Sequence, residues 1–125
     1  MALELNHRNW IDGKWCASAS GRPFAVHNPA DLRQICHEYP LSSAADADAA
    51  ILGAAKAFPA WRATPLGEKI AIFRRAAALI RARRDEIARI ITLENGKLLS
   101  ESLVEIDAAA LELEYQIGEG ERQSG

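Results

Sequence analysis

The sequence predicts an α+β fold in which short N-terminal strands are followed by three to four α-helices. Residues 9–41 contain short apolar segments separated by turn-forming residues, and residues 42–120 carry apolar side chains at helical spacing. Of the 125 residues, 49% are hydrophobic and 26% are charged, with a net charge of −2, which is typical of a folded chain. We therefore predict a single region that spans residues 1–125.

The strand region begins with a predicted β-hairpin. The dipeptide Asp12-Gly13 connects residues 9–11 to residues 14–16, and it favours a two-residue turn because both positions require a positive φ. Two further short strands are predicted at residues 24–27 and 35–39.

Cap residues predict where the first helices begin and end. Ser43 and Asp46 have the spacing of a capping box, so a helix is expected to begin there, and Pro59 is expected to end it. Thr64-Pro65 predicts the next start, with Thr64 as the N-cap and Pro65 at the first helical position.

The rest of the helical region is predicted to contain two or three helices. Residues 83–86 interrupt the apolar stripe, so two helices are expected to meet there, and Asn95-Gly96 is a C-terminal cap. Ser100 is expected to cap the last helix. The alanine-rich faces are wider than a surface helix requires, which predicts close packing against a further surface.

Charge is segregated along the helical region. Six arginines lie within residues 74–89, and seven acidic residues lie within residues 101–121. Two neighbouring helices with complementary surfaces would explain this pattern, and an arginine-rich face that binds nucleic acid or phosphate is the alternative. Because the acidic helix would repel a phosphate backbone, we expect no nucleic-acid partner.

The residues alone predict no catalytic site. Cys16 and Cys36 lie in predicted strands without the helix N-terminus or basic cluster that activates a thiol, so buried structural roles are favoured over nucleophilic ones. His37 follows Cys36 directly, and neighbours on a strand point to opposite faces. The sequence contains no zinc-ligand spacing and no Gly-x-Gly-x-x-Gly loop.

The sequence also predicts a cytoplasmic protein without a membrane partner. No apolar run approaches the roughly 18 residues that a spanning helix needs. Residues 1–7 lack the basic-then-apolar order of a signal peptide.

Six phrases, taken in order, resemble the N-terminal segment of the NAD(P)-dependent aldehyde dehydrogenase superfamily. They are Trp10-Ile11-Asp12-Gly13-Lys14-Trp15, Val26-His27-Asn28-Pro29, Ala57-Phe58-Pro59-Ala60-Trp61-Arg62, Thr64-Pro65-Leu66-Gly67-Glu68-Lys69, Arg83-Arg84-Asp85-Glu86-Ile87-Ala88 and Thr92-Leu93-Glu94-Asn95-Gly96-Lys97. The resemblance covers residues 9–125. Residues 28–32 and 118–122 are similar to the semialdehyde-oxidising branches.

The resemblance implies an enzyme that oxidises an aldehyde to a carboxylic acid with NAD or NADP. The family's catalytic cysteine in Gly-Gln-x-Cys, its glutamate in Glu-Leu-Gly-Gly-Lys and its Gly-x-Thr-x-x-Gly cofactor turn do not occur in this sequence. Family chains are about four times longer. We therefore expect a truncated aldehyde dehydrogenase: an α+β fragment of an α/β parent without its catalytic domain, inactive alone and binding neither cofactor.

One ligand site follows from the resemblance. Some family members bind a structural monovalent cation through backbone carbonyls before Asn-Pro and through an aspartate on the third helix. The corresponding residues are Val26, His27 and Asp107. For Asp107, an ordinary solvated carboxylate is favoured over a cation ligand.

The resemblance also implies a scaffolding role within an oligomeric enzyme. The expected partner is the remainder of the aldehyde dehydrogenase fold or a homologous subunit. The alternative is a non-catalytic helical interaction module that docks on a full-length homologue.

Overall fold

The computed structural model describes residues 8–122, and the chain divides into two compact units, Met1–Ala63 and Thr64–Gly125. Among the described residues, the first unit contains four strands and one helix, and the second contains three helices. The predicted order of short strands followed by helices is therefore confirmed. Residues 1–7, on which the expectation about a signal peptide rests, lie outside the described residues.

The first unit begins with the predicted hairpin. Strands β1 (Asn9–Ile11) and β2 (Lys14–Cys16) pair antiparallel across a turn in which Asp12 has a φ of 50° and Gly13 a φ of 76°. The rings of Trp10 and Trp15 meet edge to face across the hairpin, with centroids 4.9 Å apart. Such cross-strand aromatic pairs help to fix the register of a short hairpin.

A second antiparallel pair consists of β3 (Pro23–Asn28) and β4 (Asp31–Pro40), and both strands are longer than predicted. The register joins Val26 to His37 and His27 to Ile35, so Cys36 is an extra residue that bulges from β4. A bulge interrupts the alternation of side chains along a strand. The prediction that Cys36 and His37 point to opposite faces assumed a regular alternation, and the bulge interrupts that alternation.

Helix α1 (Ala44–Ala63) begins at the predicted capping box. The Ser43 N–H donates to Asp46 Oδ2 at 2.7 Å, and the Asp46 N–H lies 3.4 Å from Ser43 Oγ. The prediction that Pro59 ends the helix is wrong, because the helix continues through it to Ala63. A proline removes one helical hydrogen bond and bends the axis, and the remaining turns can continue beyond it.

The second unit contains α2 (Leu66–Ala82) and α3 (Arg84–Asn95), which are separated at Arg83 as predicted. Helix α2 starts one residue later than expected, since Pro65 occupies the N-cap position without a side-chain cap. The C-terminal cap of α3 is confirmed. Gly96 has a φ of 78°, and its N–H donates to the carbonyl of Thr92 at 2.8 Å.

Helix α4 (Leu99–Arg122) does not use Ser100 as its cap, since Ser100 lies inside the first turn. The carbonyl of Leu98 begins the helical bonding, and the carboxylate of Glu101 accepts the Leu98 N–H at 3.2 Å. A glutamate three residues into a helix can reach back to the N-cap in this way even where the N-cap has no polar side chain.

The second unit has a core of small and aliphatic side chains where α4 packs against α2 and α3. Its buried apolar residues are Ile70, Ala77, Ala88, Ile106, Ala110 and Ile117. Ser102 is fully buried, and its hydroxyl lies 2.8 Å from that of Thr92. Small side chains at these positions allow the helix backbones to approach closely, and the hydroxyl pair satisfies the buried polar groups.

Candidate functional site

Metal-ligating side chains and cysteines are the first candidates for a functional site. No group of three His, Cys, Asp or Glu side chains within residues 8–122 could hold a metal ion. Cys16 and Cys36 are half-buried and form no disulfide. None of the helices among the described residues has an apolar stretch of the length that a membrane span requires.

Two of the residues implied as cation ligands lie in the first unit, on β3. Val26 is half-buried opposite His37, and His27 is exposed. Nδ1 of His27 lies 2.8 Å from the carbonyl oxygen of Leu32. Since a carbonyl only accepts, Nδ1 carries the proton and donates it across the turn between β3 and β4.

The third residue of that set, Asp107, lies in the second unit on α4. Both of its carboxylate oxygens accept hydrogen bonds from the Arg84 guanidinium, each at 2.6 Å. These bonds lower the pKa of Asp107, although partial desolvation opposes the shift. Asp107 is thus engaged by a bidentate cationic partner, and a monovalent cation would have to compete with the guanidinium.

Two further arginine–carboxylate pairs connect α2 to α4. Arg74 bonds to Glu121 at 2.6 Å, and seven residues later Arg81 bonds to Glu114, with its shorter contact also 2.6 Å. Over the same interval the partner on α4 changes from Glu121 to Glu114, which is seven residues in the opposite direction. Seven residues are about two helical turns, so the spacing is that of two antiparallel helices. The predicted complementarity of two neighbouring helices therefore explains the charge segregation.

The carboxylate of Asp46 links the start of α1 to the loop before β3. Besides its bonds to Ser43, it accepts the Ser18 hydroxyl at 2.9 Å and the Ala19 N–H at 3.0 Å. The backbone donors of Ser43 and Ala19 contribute most to a pKa of Asp46 far below its usual range. The capping box was visible in the sequence, but the contacts more than 20 residues away had no local signal.

The large apolar side chains of helix α1 are exposed. None of its residues is buried, and its large apolar side chains are 41–69% exposed. They are Ile51, Leu52, Phe58 and Trp61. An exposed set of this kind usually marks an interaction surface rather than an isolated helix in water.

Helix α4 carries a second apolar stripe in addition to the one in the core. We call Val104, Ala108, Leu111 and Tyr115 the outer stripe; all four are exposed, and the three larger side chains are 58–66% exposed. Their spacing of four, three and four residues places them on one face of the helix. The spacing of the outer stripe can be read from the sequence. Distinguishing it from the core stripe requires the structure, because only the structure shows which face of α4 packs against α2 and α3.

Comparison with known proteins assigns the chain to one family. The sequence profile of the "Aldehyde dehydrogenase family" matches residues 15–125. Malonate-semialdehyde dehydrogenase 3 of Geobacillus kaustophilus is 37% identical over 111 residues, which are 89% of this chain and 23% of that protein. Succinate-semialdehyde dehydrogenase [NADP(+)] 1 of Schizosaccharomyces pombe is 37% identical over 122 residues, covering 98% of this chain and 24% of that protein.

The fold agrees with the same family. A Staphylococcus aureus betaine aldehyde dehydrogenase, solved in complex with NAD+, matches with a TM-score of 0.92 and 29% identity over 98% of this chain and 25% of that one. The chain spans about a quarter of the length of the relatives it matches. The resemblance read from the six phrases is confirmed: this chain belongs to the aldehyde dehydrogenase family.

Proposed function

We propose that this chain provides a non-catalytic, scaffolding segment of an aldehyde dehydrogenase. The observation that carries the proposal is the uncovered apolar surface of the helices, above all the outer stripe of α4, in a chain that matches its family over residues 15–125. Apolar faces of this width stabilise a protein when they are packed against another surface. The rest of an aldehyde dehydrogenase fold is the surface that family membership suggests.

The complete enzyme in this proposal oxidises an aldehyde to a carboxylic acid with NAD or NADP as the hydride acceptor. A semialdehyde is the favoured substrate class, because two of the similar proteins are semialdehyde dehydrogenases at 37% identity. The residues that resemble those branches, 28–32 and 118–122, support the same class.

The chain by itself is proposed to be inactive. Neither Cys16 nor Cys36 lies in the Gly-Gln-x-Cys context of the family's nucleophile, and the sequence contains neither the glutamate motif nor the cofactor turn. Purified chain should therefore form no NADH or NADPH, measured at 340 nm, with any aldehyde. Turnover above that of a heat-treated sample would refute this part of the proposal.

A chimeric enzyme tests the scaffolding role directly. In it, residues 15–125 of this chain replace the matching segment of the Geobacillus kaustophilus relative, and the rest of that enzyme is unchanged. We expect the chimera to fold and to retain the aldehyde oxidation of the parent enzyme. A chimera that fails to fold, or that folds without activity, would contradict the proposal.

The second candidate function is an interaction module that docks on a full-length homologue. The exposed apolar residues of α1 favour it, since they too require a partner. Mixing the chain with the intact Geobacillus enzyme separates the two functions. A stable complex of the two proteins on size-exclusion chromatography supports the interaction module. Separate elution of the chain and the intact enzyme supports the scaffolding segment, because the intact enzyme already contains that segment.

A structural K⁺ or Na⁺ bound through the carbonyls of Val26 and His27 and the carboxylate of Asp107 remains a proposal that the resemblance suggests. Its test is the melting temperature of the chimera in K⁺ and in tetramethylammonium, for the unsubstituted protein and for Asp107→Ala. We expect K⁺ to raise the melting temperature only when Asp107 is present. Indifference of both proteins to the cation would contradict the site.

A cytoplasmic location and the absence of a nucleic-acid partner also stay predictions.

A further inference from the structure

We infer that Asn95 is a site of spontaneous deamidation, and that the last turn of α3 sets the rate at which it is modified. Asn95 is the final residue of α3, and Gly96 is the first residue of the connection to α4, which consists of residues 96–98. The inference concerns the chemistry of this connection and does not depend on the proposed scaffolding function.

The reaction requires only an asparagine, the peptide nitrogen that follows it, and water. The Gly96 nitrogen loses its proton and attacks the side-chain carbonyl carbon of Asn95, so that a five-membered succinimide ring forms and the side-chain nitrogen leaves as ammonia. One water molecule then opens the ring at either of its carbonyl carbons and gives aspartate or isoaspartate. Glycine favours the attack because it has no Cβ that would shield its nitrogen.

Among the asparagines within residues 8–122, only Asn95 is both exposed and followed by glycine. Asn28 is followed by Pro29, whose nitrogen carries no hydrogen and cannot close the ring. Asn9 is half-buried in β1 and is followed by the bulky Trp10. Hydrogen bonds within the first unit also hold the side-chain amides of Asn9 and Asn28. The chemistry therefore selects the end of α3.

The last turn of α3 restrains this reaction. The Gly96 N–H donates to the carbonyl of Thr92 at 2.8 Å, so the proton that must leave is engaged in the helix. Asn95 itself belongs to the helix, and closure of the ring requires its backbone to leave the helical conformation. The Thr92 hydroxyl lies 2.8 Å from that of the fully buried Ser102, which fastens the same turn to α4. Deamidation therefore proceeds from the minority of molecules in which this turn is open.

Either product of the reaction weakens the end of α3. Both products place a carboxylate in the last turn, residues 92–95, which contains no basic residue, and an anion at a helix C-terminus opposes the helix dipole. Isoaspartate also adds one carbon to the backbone before Gly96, which moves the Gly96 N–H away from the Thr92 carbonyl. The modification thus loosens the turn that had restrained it.

The test compares the native chain with the same chain in guanidinium chloride, both at mildly alkaline pH. Trypsin releases a peptide of residues 90–97, in which Asn95 is the only asparagine, and mass spectrometry follows its conversion to the acid. We expect Asn95, and neither Asn9 nor Asn28, to be converted in the native chain, at least about fivefold more slowly than in the unfolded chain. Asn95→Gln should abolish the conversion, because the longer side chain would have to form a less favourable six-membered ring.

A variant of the anchoring hydroxyl pair tests the role of the turn. Thr92→Val keeps the shape of the side chain but removes the partner of the buried Ser102 hydroxyl, so the turn should open more often. We expect Asn95 in the native variant to be converted at least about threefold faster. Thr64→Val makes the same substitution just before α2 and should leave the rate unchanged. In guanidinium chloride, both variants should match the unsubstituted chain.

Three results would overturn the inference. The first is a native chain that stays unmodified long after the unfolded chain has been converted, since Asn95 would then not be a modification site of the folded protein. The second is an equal rate in the native and the unfolded chain, and the third is an equal rate in native Thr92→Val and Thr64→Val. Either of these would show that the last turn of α3 does not set the rate. Should Thr92→Val unfold the chain, as circular dichroism would show, Ser102→Ala removes the same hydrogen bond and takes its place in the comparison.

Discussion

Helices α1 and α4 are the two longest helices and both carry exposed apolar side chains, yet they are stabilised in different ways. Helix α4 buries one face against α2 and α3 within its own unit and is braced there by arginine–carboxylate pairs. Helix α1 buries none of its residues, and Asp46 at its start accepts hydrogen bonds from Ser18, Ala19 and Ser43.

This difference shows that a helical pattern in the sequence predicts the helix but not the location of its partner. The inner face of α4 finds its partner among the residues of its own unit. The large apolar side chains of α1 and of the outer stripe of α4 are instead 41–69% exposed. In the proposed function, these wide apolar faces form one side of a larger core.

Deletion of a core side chain should produce the largest contrast between the two helices. Ile106, which is 7% exposed, lies in the core of the second unit, whereas Ile51 on α1 is 66% exposed. Ile106→Ala is expected to lower the free energy of unfolding by about 2–5 kcal/mol, and Ile51→Ala to change it by less than about 0.5 kcal/mol. Urea unfolding followed by circular dichroism measures both values, and similar losses would remove the distinction between α1 and α4.

The attachment of α1 should depend on pH through Asp46. Its folded-state pKa is far below the unfolded value of about 3.9, so its contribution is complete above about pH 5 and is lost as the pH falls below about 4. Hydrogen exchange of α1 amides should accelerate over that range, after correction for intrinsic exchange. Asp46→Asn should exchange faster already at pH 6 and lose the pH dependence, whereas Asp48→Asn, at an exposed acid on the same helix, should behave like the unsubstituted chain.

The cross-helix ion pairs should make the smallest contribution, since their side chains remain accessible to solvent. Arg81→Gln is expected to destabilise the second unit slightly, with a loss that shrinks at about 1 M NaCl because salt screens the pair. The exchange of the two charges in Arg81→Glu combined with Glu114→Arg should recover most of the loss. If the double variant is no better than the sum of its single changes, the pair does not brace α2 against α4.

Local signals in the sequence predicted the features that depend on neighbouring residues. The Asp12-Gly13 turn, the Ser43–Asp46 capping box and the Gly96 cap each require only a few residues and their backbone angles, and each was predicted where the structure has it. The family resemblance also depended on local phrases, and the family comparison confirmed it.

Features that depend on competition between possible helix caps and breakers, or on contacts between residues far apart in the sequence, were predicted less well. Pro59 and Ser100 are residues of the right type to end or begin a helix, but neighbouring turns continue the helix past Pro59, and Glu101 provides the cap that Ser100 was expected to supply. The bulge at Cys36 depends on the register with β3, which no single strand specifies. The individual arginine–carboxylate partners also required the antiparallel packing of α2 and α4.

Hydrogen exchange of α1 and α4, compared between the isolated chain and the chimera, tests most directly whether this chain forms one side of a larger core. We predict that amides around Ile106 and Ala110 are protected in both proteins, and that amides of α1 around Ile51 and Phe58 become strongly protected only in the chimera. Strong protection of α1 in the isolated chain, or a folded chimera in which α1 gains none, would contradict this conclusion.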